Sequence, residues 1–423
     1  MASRSFLDSM TGAIPSVLGT LLCVCSAVTA EGISGVTFSE DVFRWGVSGD
    51  NWCMTWAADG DIYTSLDDGC GWTDPCDRSK DFRNNGVFRI SGGPEAGTLQ
   101  AALLDGSPDY SNAGRPKRWN NDLQQLSWQW VDEDTGRKTT NKNWYAYGIV
   151  SIEGDVFQFI SHCKAQWGWG WFDGCQLIWR PSGQVGWKRW NGTDANDADR
   201  WYAGQGGNQL LFRNELGFSF SFVTIAQFGQ DYGENKDGYV YLFSPNGPEM
   251  PEQLNLVRVK KGDLLDRSKY EYFVRSLDDG EAEWRTNEIC AKGVVHYFPE
   301  SWGWYSWSPS VVWNEALGLF VMAAGATQRP GSGDPMESFV HYEAGALALL
   351  WAKHPWGPWH LFHYDESWIG DHPDNRLYEP QLSPKWIRDK GRTMYLVYSD
   401  ARDRHRTNYK WNMQEMTLHI DPD

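Results

Sequence analysis

Helical periodicity is nearly absent from this 423-residue chain, while short β-branched and aromatic runs bounded by turn residues recur along its length. The clearest is M-T-W-A-A-D-G-D-I-Y-T-S-L, residues 54–66, where Asp59-Gly60 is a strong two-residue hairpin signal. Further hairpins are predicted over 146–161 (turn Glu153-Gly154-Asp155), 176–190 (turn Pro181-Ser182-Gly183) and 310–323 (turn 314–318), and over 381–398 with a turn near Asp389-Lys390-Gly391. The runs at 218–228 and 238–243 read as one more strand pair. They fall into five groups beginning near residues 43, 85, 143, 217 and 291, with the strands of 376–420 closing a ring. Group spacing of this size suits four-stranded blades with long loops. The expected fold is all-β: one five-bladed β-propeller domain over 31–423.

The first thirty residues are expected to stand apart from it. Arg4 gives a basic start, 14–28 is a short apolar stretch, and Val28-Thr29-Ala30 offers the small residues of a cleavage site, so 1–30 reads as a secretory signal peptide. No later stretch reaches eighteen apolar residues, so no membrane span is expected. The predicted location is extracellular. Of eight cysteines, Cys23 and Cys25 leave with the leader, and the remaining six suit an oxidising compartment. Spacing pairs Cys70 with Cys76 and Cys163 with Cys175, leaving Cys53 for Cys290. C-x-x-C is absent, which argues against a zinc site. Asn191-Gly192-Thr193 is a glycosylation sequon, with Asn191 the acceptor.

Composition narrows the partners. The net charge of −17 opposes binding to a nucleic-acid backbone. Tryptophan occurs 26 times, with bursts W-G-W-G-W-F-D-G at 167–174 and W-G-W-Y-S-W at 302–307. A flat indole closes a β-rich core or holds the apolar face of a sugar ring. Trp52, Trp171 and Trp304 are therefore the candidates to border sugar subsites, and Asp173 a candidate to bond sugar hydroxyls. A polysaccharide is the expected partner and a monomer the expected state. No nucleic acid, membrane or cofactor is expected.

The candidate chemistry lies in the first hairpin. A two-residue turn at Asp59-Gly60 would set Ala58 opposite Asp61, Trp56 opposite Tyr63, Asn51 opposite Asp68 and Asp50 opposite Gly69. Asp50, Asp67 and Asp68 then converge at its open end, within about 5 to 10 Å of one another. Strict alternation would put Asp50 on the face of Asp67 rather than Asp68. Glycoside cleavage needs such a pair, one carboxyl protonated for the leaving oxygen and one ionised as nucleophile or base. Proximity helps to split their pKa values. Turn caps and a calcium-binding loop are the alternative uses of such aspartates. Glu379 in L-Y-E-P-Q is a third carboxylate for the channel mouth. His360 and His363 fall on opposite faces of a predicted strand, against a shared metal, and no metal site is expected. G-x-S-x-G is missing, and G-Q-G-G-N-Q at 204–209 lacks the strand-helix setting of a nucleotide loop.

The stretch G-D-N-W-C-M-T-W-A-A-D-G-D-I-Y-T-S-L-D-D-G resembles the opening of a propeller family long known as domain of unknown function 4185. G-G-N-Q-L-L-F-R-N-E-L-G-F-S-F-S, D-G-Y-V-Y-L-F-S-P-N-G, W-S-P-S-V-V-W-N-E-A-L-G and Y-E-P-Q-L-S-P-K-W fit it too, in order along most of the chain. That group is similar to five-bladed furanosidases and includes secreted endo-D-arabinanases. The resemblance implies two catalytic aspartates, at positions matching Asp50 and Asp68. Leu66-Asp67-Asp68-Gly69 departs from the family, which more often has glycine before the aspartate, so Asp67 is a rival. The expectation is a secreted glycoside hydrolase acting on a neutral, furanose-containing polysaccharide. A polysaccharide lyase on a similar scaffold would want a His or Tyr base with an Arg or a metal at the uronate. A non-catalytic carbohydrate-binding propeller would keep the Trp faces and tolerate loss of Asp50 and Asp68.

Overall fold

The computed structural model describes residues 31–77, 81–83, 85–95, 97–107, 118–120, 125–127, 129–131, 138–140, 143–163, 172–192, 210–213, 220–246, 252–278, 280–299, 307–326, 345–366, 368, 377–400 and 408–421. Among these there are β-strands and short 3-10 turns and no α-helix. Residues 1–30, expected to be a leader, lie outside the described residues.

Five antiparallel sheets form the blades of a β-propeller. The first runs from Ser48–Asp50 and Met54–Trp56 through Ile62–Gly71 and Gly86–Ser91 to Gln100–Leu103. The second comprises Asn143–Ile152, Asp155–Cys163, Phe172–Arg180 and the short Lys188–Arg189 and Phe212–Arg213. The third begins at Thr224–Ile225, continues through Tyr239–Pro245, Gln253–Lys260 and Glu271–Ser276 to Ala282–Thr286, and adds Val294–Tyr297. Ser310–Asn314, Leu319–Ala326, Ala346–Ala352 and His360–Asp365 make the fourth. Leu377–Leu382, Thr393–Asp400 and Trp411–Ile420 make the fifth, whose outer strand is Ile33–Trp45 from the other end of the chain. The blade count matches expectation and the boundaries do not. The run at 85 completes the first blade, and the fourth begins at 310 rather than 291.

Burial explains why the middle strands read as apolar on both sides. Each is covered on both faces by neighbouring blades, so Ala346–Ala352 is buried at all but one position and Thr393–Asp400 throughout. Outer strands face solvent and show it, with Ala282–Thr286 only half-buried to exposed. The innermost strands follow one another around the axis. Asn51 Nδ2 donates to Ala146 O, Gly148 N to Val223 O, and Leu382 N to Ser310 Oγ, while Gln227 bridges Val312 in parallel and Ser399 Oγ closes onto Gly49 O.

Two expected disulfides are corrected. Only Cys70–Cys76 is formed among the described residues. The strands carrying Cys163 and Cys175 pair so that Cys163 faces Phe172 and Cys175 faces Ser161, which separates the two cysteines along the ladder. Cys175 is instead a buried free thiol that donates to Phe220 O. Cys53 is buried in the first blade and Cys290 is exposed on a 3-10 turn of the third, both as free thiols, so they do not meet. His363 packs edge-on against Phe38 and His360 stacks on Trp351. Among the described residues no cluster of His, Cys, Asp or Glu is arranged to ligate a metal.

Candidate active site

The register of the first hairpin sets the site. Ala57 N bonds Asp61 O, and the ladder pairs Trp56 with Ile62 and Thr55 with Tyr63, so the turn is one residue longer than the expected two-residue form. Gly60, at φ 88°, takes the left-handed position that closes such a loop. The register slips once more between Met54 and Asp50, where Asn51–Cys53 leave the strand, and Asp50 becomes the direct partner of Asp67. The expected pairings of Asn51 with Asp68 and Asp50 with Gly69 are thereby corrected by that longer turn and the irregular strand end.

Asp50, Asp67 and Asp68 from the first blade meet Glu379 from the innermost strand of the fifth. Asp50, Asp67 and Glu379 are 5 %, 6 % and 6 % exposed, and Asp68 is half-buried. Burial pushes the Asp67 carboxyl well above the usual carboxylate range, and the charges of Asp68, Asp50 and Glu379 push it further. Burial likewise pushes Glu379 up to about 8, with Trp307 and the Asn51 amide pulling the other way and Asp68 adding to the rise. Asp68 N donates to Asp67 Oδ1 at 2.7 Å, and the Tyr409 hydroxyl donates to Asp50 Oδ2. The Trp307 indole N–H donates to Glu379 Oε1 at 2.8 Å, while Glu379 Oε2 is buried with no hydrogen-bond partner among the described residues.

Aromatic rings line the rest. Tyr378 and Tyr409 are half-buried beside the acids. Their phenols, and that of buried Tyr147, are held neutral by burial and by the surrounding carboxylates. Tyr147, Phe222 and Trp307 form a separate cluster, with Phe222 and Trp307 centroids 4.3 Å apart. Three residues of this cluster, Asn51, Asp68 and Glu379, hold φ of 50°, 45° and 49°. That left-handed backbone is strained for non-glycine residues, and such strain clusters at functional positions.

Of the residues expected from sequence, the structure brings together Asp50, Asp67, Asp68 and Glu379. Trp52 is corrected: it is 1 % exposed, bonded to Ser399 Oγ and packed against Trp72 and Trp411 in the core, with no face for a sugar. Trp171 and Trp304 lie outside the described residues, as does the side chain of Asp173. Asn191 is exposed on the turn after Lys188–Arg189. Sequence reasoning missed Trp307, Tyr378, Tyr409 and Tyr147. Trp307 ends the second tryptophan burst and Tyr378 adjoins Glu379, so both carried a local signal. Tyr409 meets Asp50 across 359 residues of chain and carried none.

No family model matches the chain, and no curated protein does. Solved structures with a similar chain path include a Bacteroides ovatus protein provisionally called a hydrolase, 13 % identical over 88 % of this chain and 87 % of that one, with a TM-score of 0.47. A Bacillus subtilis arabinanase is 11 % identical over 90 % and 97 %, at 0.40. A xylotriose complex of the GH43_1 enzyme of Xanthomonas citri is 10 % identical over 93 % of each chain, at 0.42. At this identity and TM-score the likeness assigns no chemistry to this chain.

Proposed function

We propose that this protein is a secreted glycoside hydrolase cleaving a neutral, furanose-containing polysaccharide of the arabinan kind. The observation that carries the reading is Glu379: a buried carboxyl pushed up to about 8, beside Asp68, where the fifth blade meets the first. Carboxyls whose surroundings drive their protonation apart supply the acid and its counterpart for glycosidic cleavage. In this reading Glu379 protonates the leaving oxygen. Asp68, the most open of the four, and Asp50, steadied by Tyr409, supply the nucleophile or the base that activates water. Asp67 stays protonated and braces Asp50. The furanose preference rests on the family resemblance, and secretion on the leader-like 1–30 together with the Cys70–Cys76 disulfide.

The test is a polysaccharide panel containing arabinans and arabinogalactans, read by reducing-end release and product analysis. Release from a furanose polymer is expected. Binding without release would make the protein a carbohydrate-binding propeller, and an unsaturated, ultraviolet-absorbing product would make it a lyase.

A further inference from the structure

We propose that Trp307 is the positioning residue of the proton donor: its indole N–H occupies one oxygen of Glu379, so that the other alone delivers the proton. The inference rests on the reading of Glu379 as proton donor. A protonated carboxyl has one oxygen that accepts well, the carbonyl oxygen, and one that carries hydrogen. Trp307 is donor only, and it is engaged with Oε1 at 2.8 Å. The backbone N–H of Asn51 also favours the ionised carboxyl, but Oε2 makes no hydrogen bond among the described residues, so the proton belongs on that buried oxygen. A buried O–H without an acceptor is unfavourable until one arrives. Oε2 is covered in the free protein, so the proposal requires a bound substrate to displace what covers it and to present the glycosidic oxygen as that acceptor.

The indole is itself held in place. Phe222 packs on it at 4.3 Å and Tyr147 at 6.3 Å between centroids, both rings being buried. Tyr147 comes from the second blade, Phe222 from the approach to the third, Trp307 from the approach to the fourth, and Glu379 from the fifth. The direction of the N–H is thus set by packing from several blades rather than by a single loop. As the Oε2–H proton passes to the glycosidic oxygen, the C–O bond breaks with its electron pair going to that oxygen. Glu379 is left ionised, and the hydrogen bond from Trp307 becomes charge-assisted as that charge develops.

The test compares the pH dependence of kcat for wild type, W307F, F222L and E379Q on the polysaccharide cleaved best in the panel. The hydrogen bond from Trp307 favours the ionised carboxyl, so its loss raises the pH at which Glu379 gives up its proton. W307F is expected to lower kcat about ten- to a hundred-fold, with little change in KM, and to move the alkaline limb to higher pH. F222L loosens the stack that aims the indole while keeping the donor, and is expected to move the limb in the same direction as W307F by a smaller amount; an F222L limb at the wild-type pH overturns the part assigned to the stack. A limb unmoved in W307F, with E379Q inactive, overturns the positioning role alone. An E379Q enzyme with normal turnover overturns the proton-donor reading beneath it. Should W307F fail to fold, protein made with 5-fluorotryptophan, a stronger N–H donor, is expected to show the limb at lower pH, and an unmoved limb there overturns the proposal equally.

Discussion

Asp50 and Asp67 stand directly opposite each other on neighbouring strands of the first blade, both almost fully buried. Like charges in that relation repel, and burial adds to the difficulty of ionising either. The fold accommodates them by holding Asp67 well above its ordinary range. A carboxyl raised in the folded state contributes stability that is present below its unfolded pKa and lost as pH rises through its folded one. Asp67→Asn, which cannot ionise, is therefore expected to raise Tm relative to wild type, by an amount that grows with pH. Thermal unfolding across a pH series checks this, and a gain confined to low pH would contradict it.

Glu379 gives the corresponding expectation for turnover. Its proton is the active form, so activity should fall as pH rises through about 8. Glu379→Gln is expected to lose about 10²- to 10⁴-fold in kcat, as are Asp50→Asn and Asp68→Asn, with Tm little changed in the aspartate variants. Initial rates by reducing-end assay, alongside Tm, provide the check. Normal turnover in either aspartate variant removes that residue from the chemistry.

Gly69 follows the strained Asp68 and lies against the strand that carries Asp50. A Cβ there would collide with the backbone of Ser48 and Gly49. Gly69→Ala is expected to destabilise by about 1–3 kcal/mol and to lower activity, because the strand that must shift is the one that places Asp50. Urea unfolding with parallel kinetics measures both effects.

Thiol chemistry tests the revised cysteine assignment. Cys290 is exposed, whereas burial pushes the Cys53 thiol up to about 12 and the Cys175 thiol higher still. Native protein treated with a thiol-alkylating reagent should be labelled at Cys290 and protected at Cys53 and Cys175 until denatured. Peptide mass mapping reads the result, and a Cys53–Cys290 disulfide peptide would overturn the structure's assignment.

The five blades were legible because hairpin punctuation is local: Glu153-Gly154 and Asp389-Lys390-Gly391 form turns where glycine and its neighbours signal them. Blade boundaries were less so, since nothing in Gly86–Ser91 says that it is a third strand rather than a first. The carboxylates were legible as residue types converging at a hairpin end. Their pairing was not, because one extra residue in a turn and one slip of register at Asn51–Cys53 change which side chains face each other. Trp52 illustrates the ambiguity of indoles: the same ring serves a core or a sugar, and its neighbours Trp72 and Trp411 decide which. Partners such as Tyr409 for Asp50 exist only once the ring is closed.

That closure has a consequence for handling the protein. Ile33 pairs with Ile420, and Asp421 N bonds Gly32 O, so the two tails of the described chain touch at the rim of one blade. A short linker could join them and new ends be opened in a surface loop of another blade, giving a circular permutant with the same carboxyl constellation. In such a permutant the seam between first and last strands becomes an ordinary continuous hairpin, and the interlock that now depends on distant segments finding each other is made local.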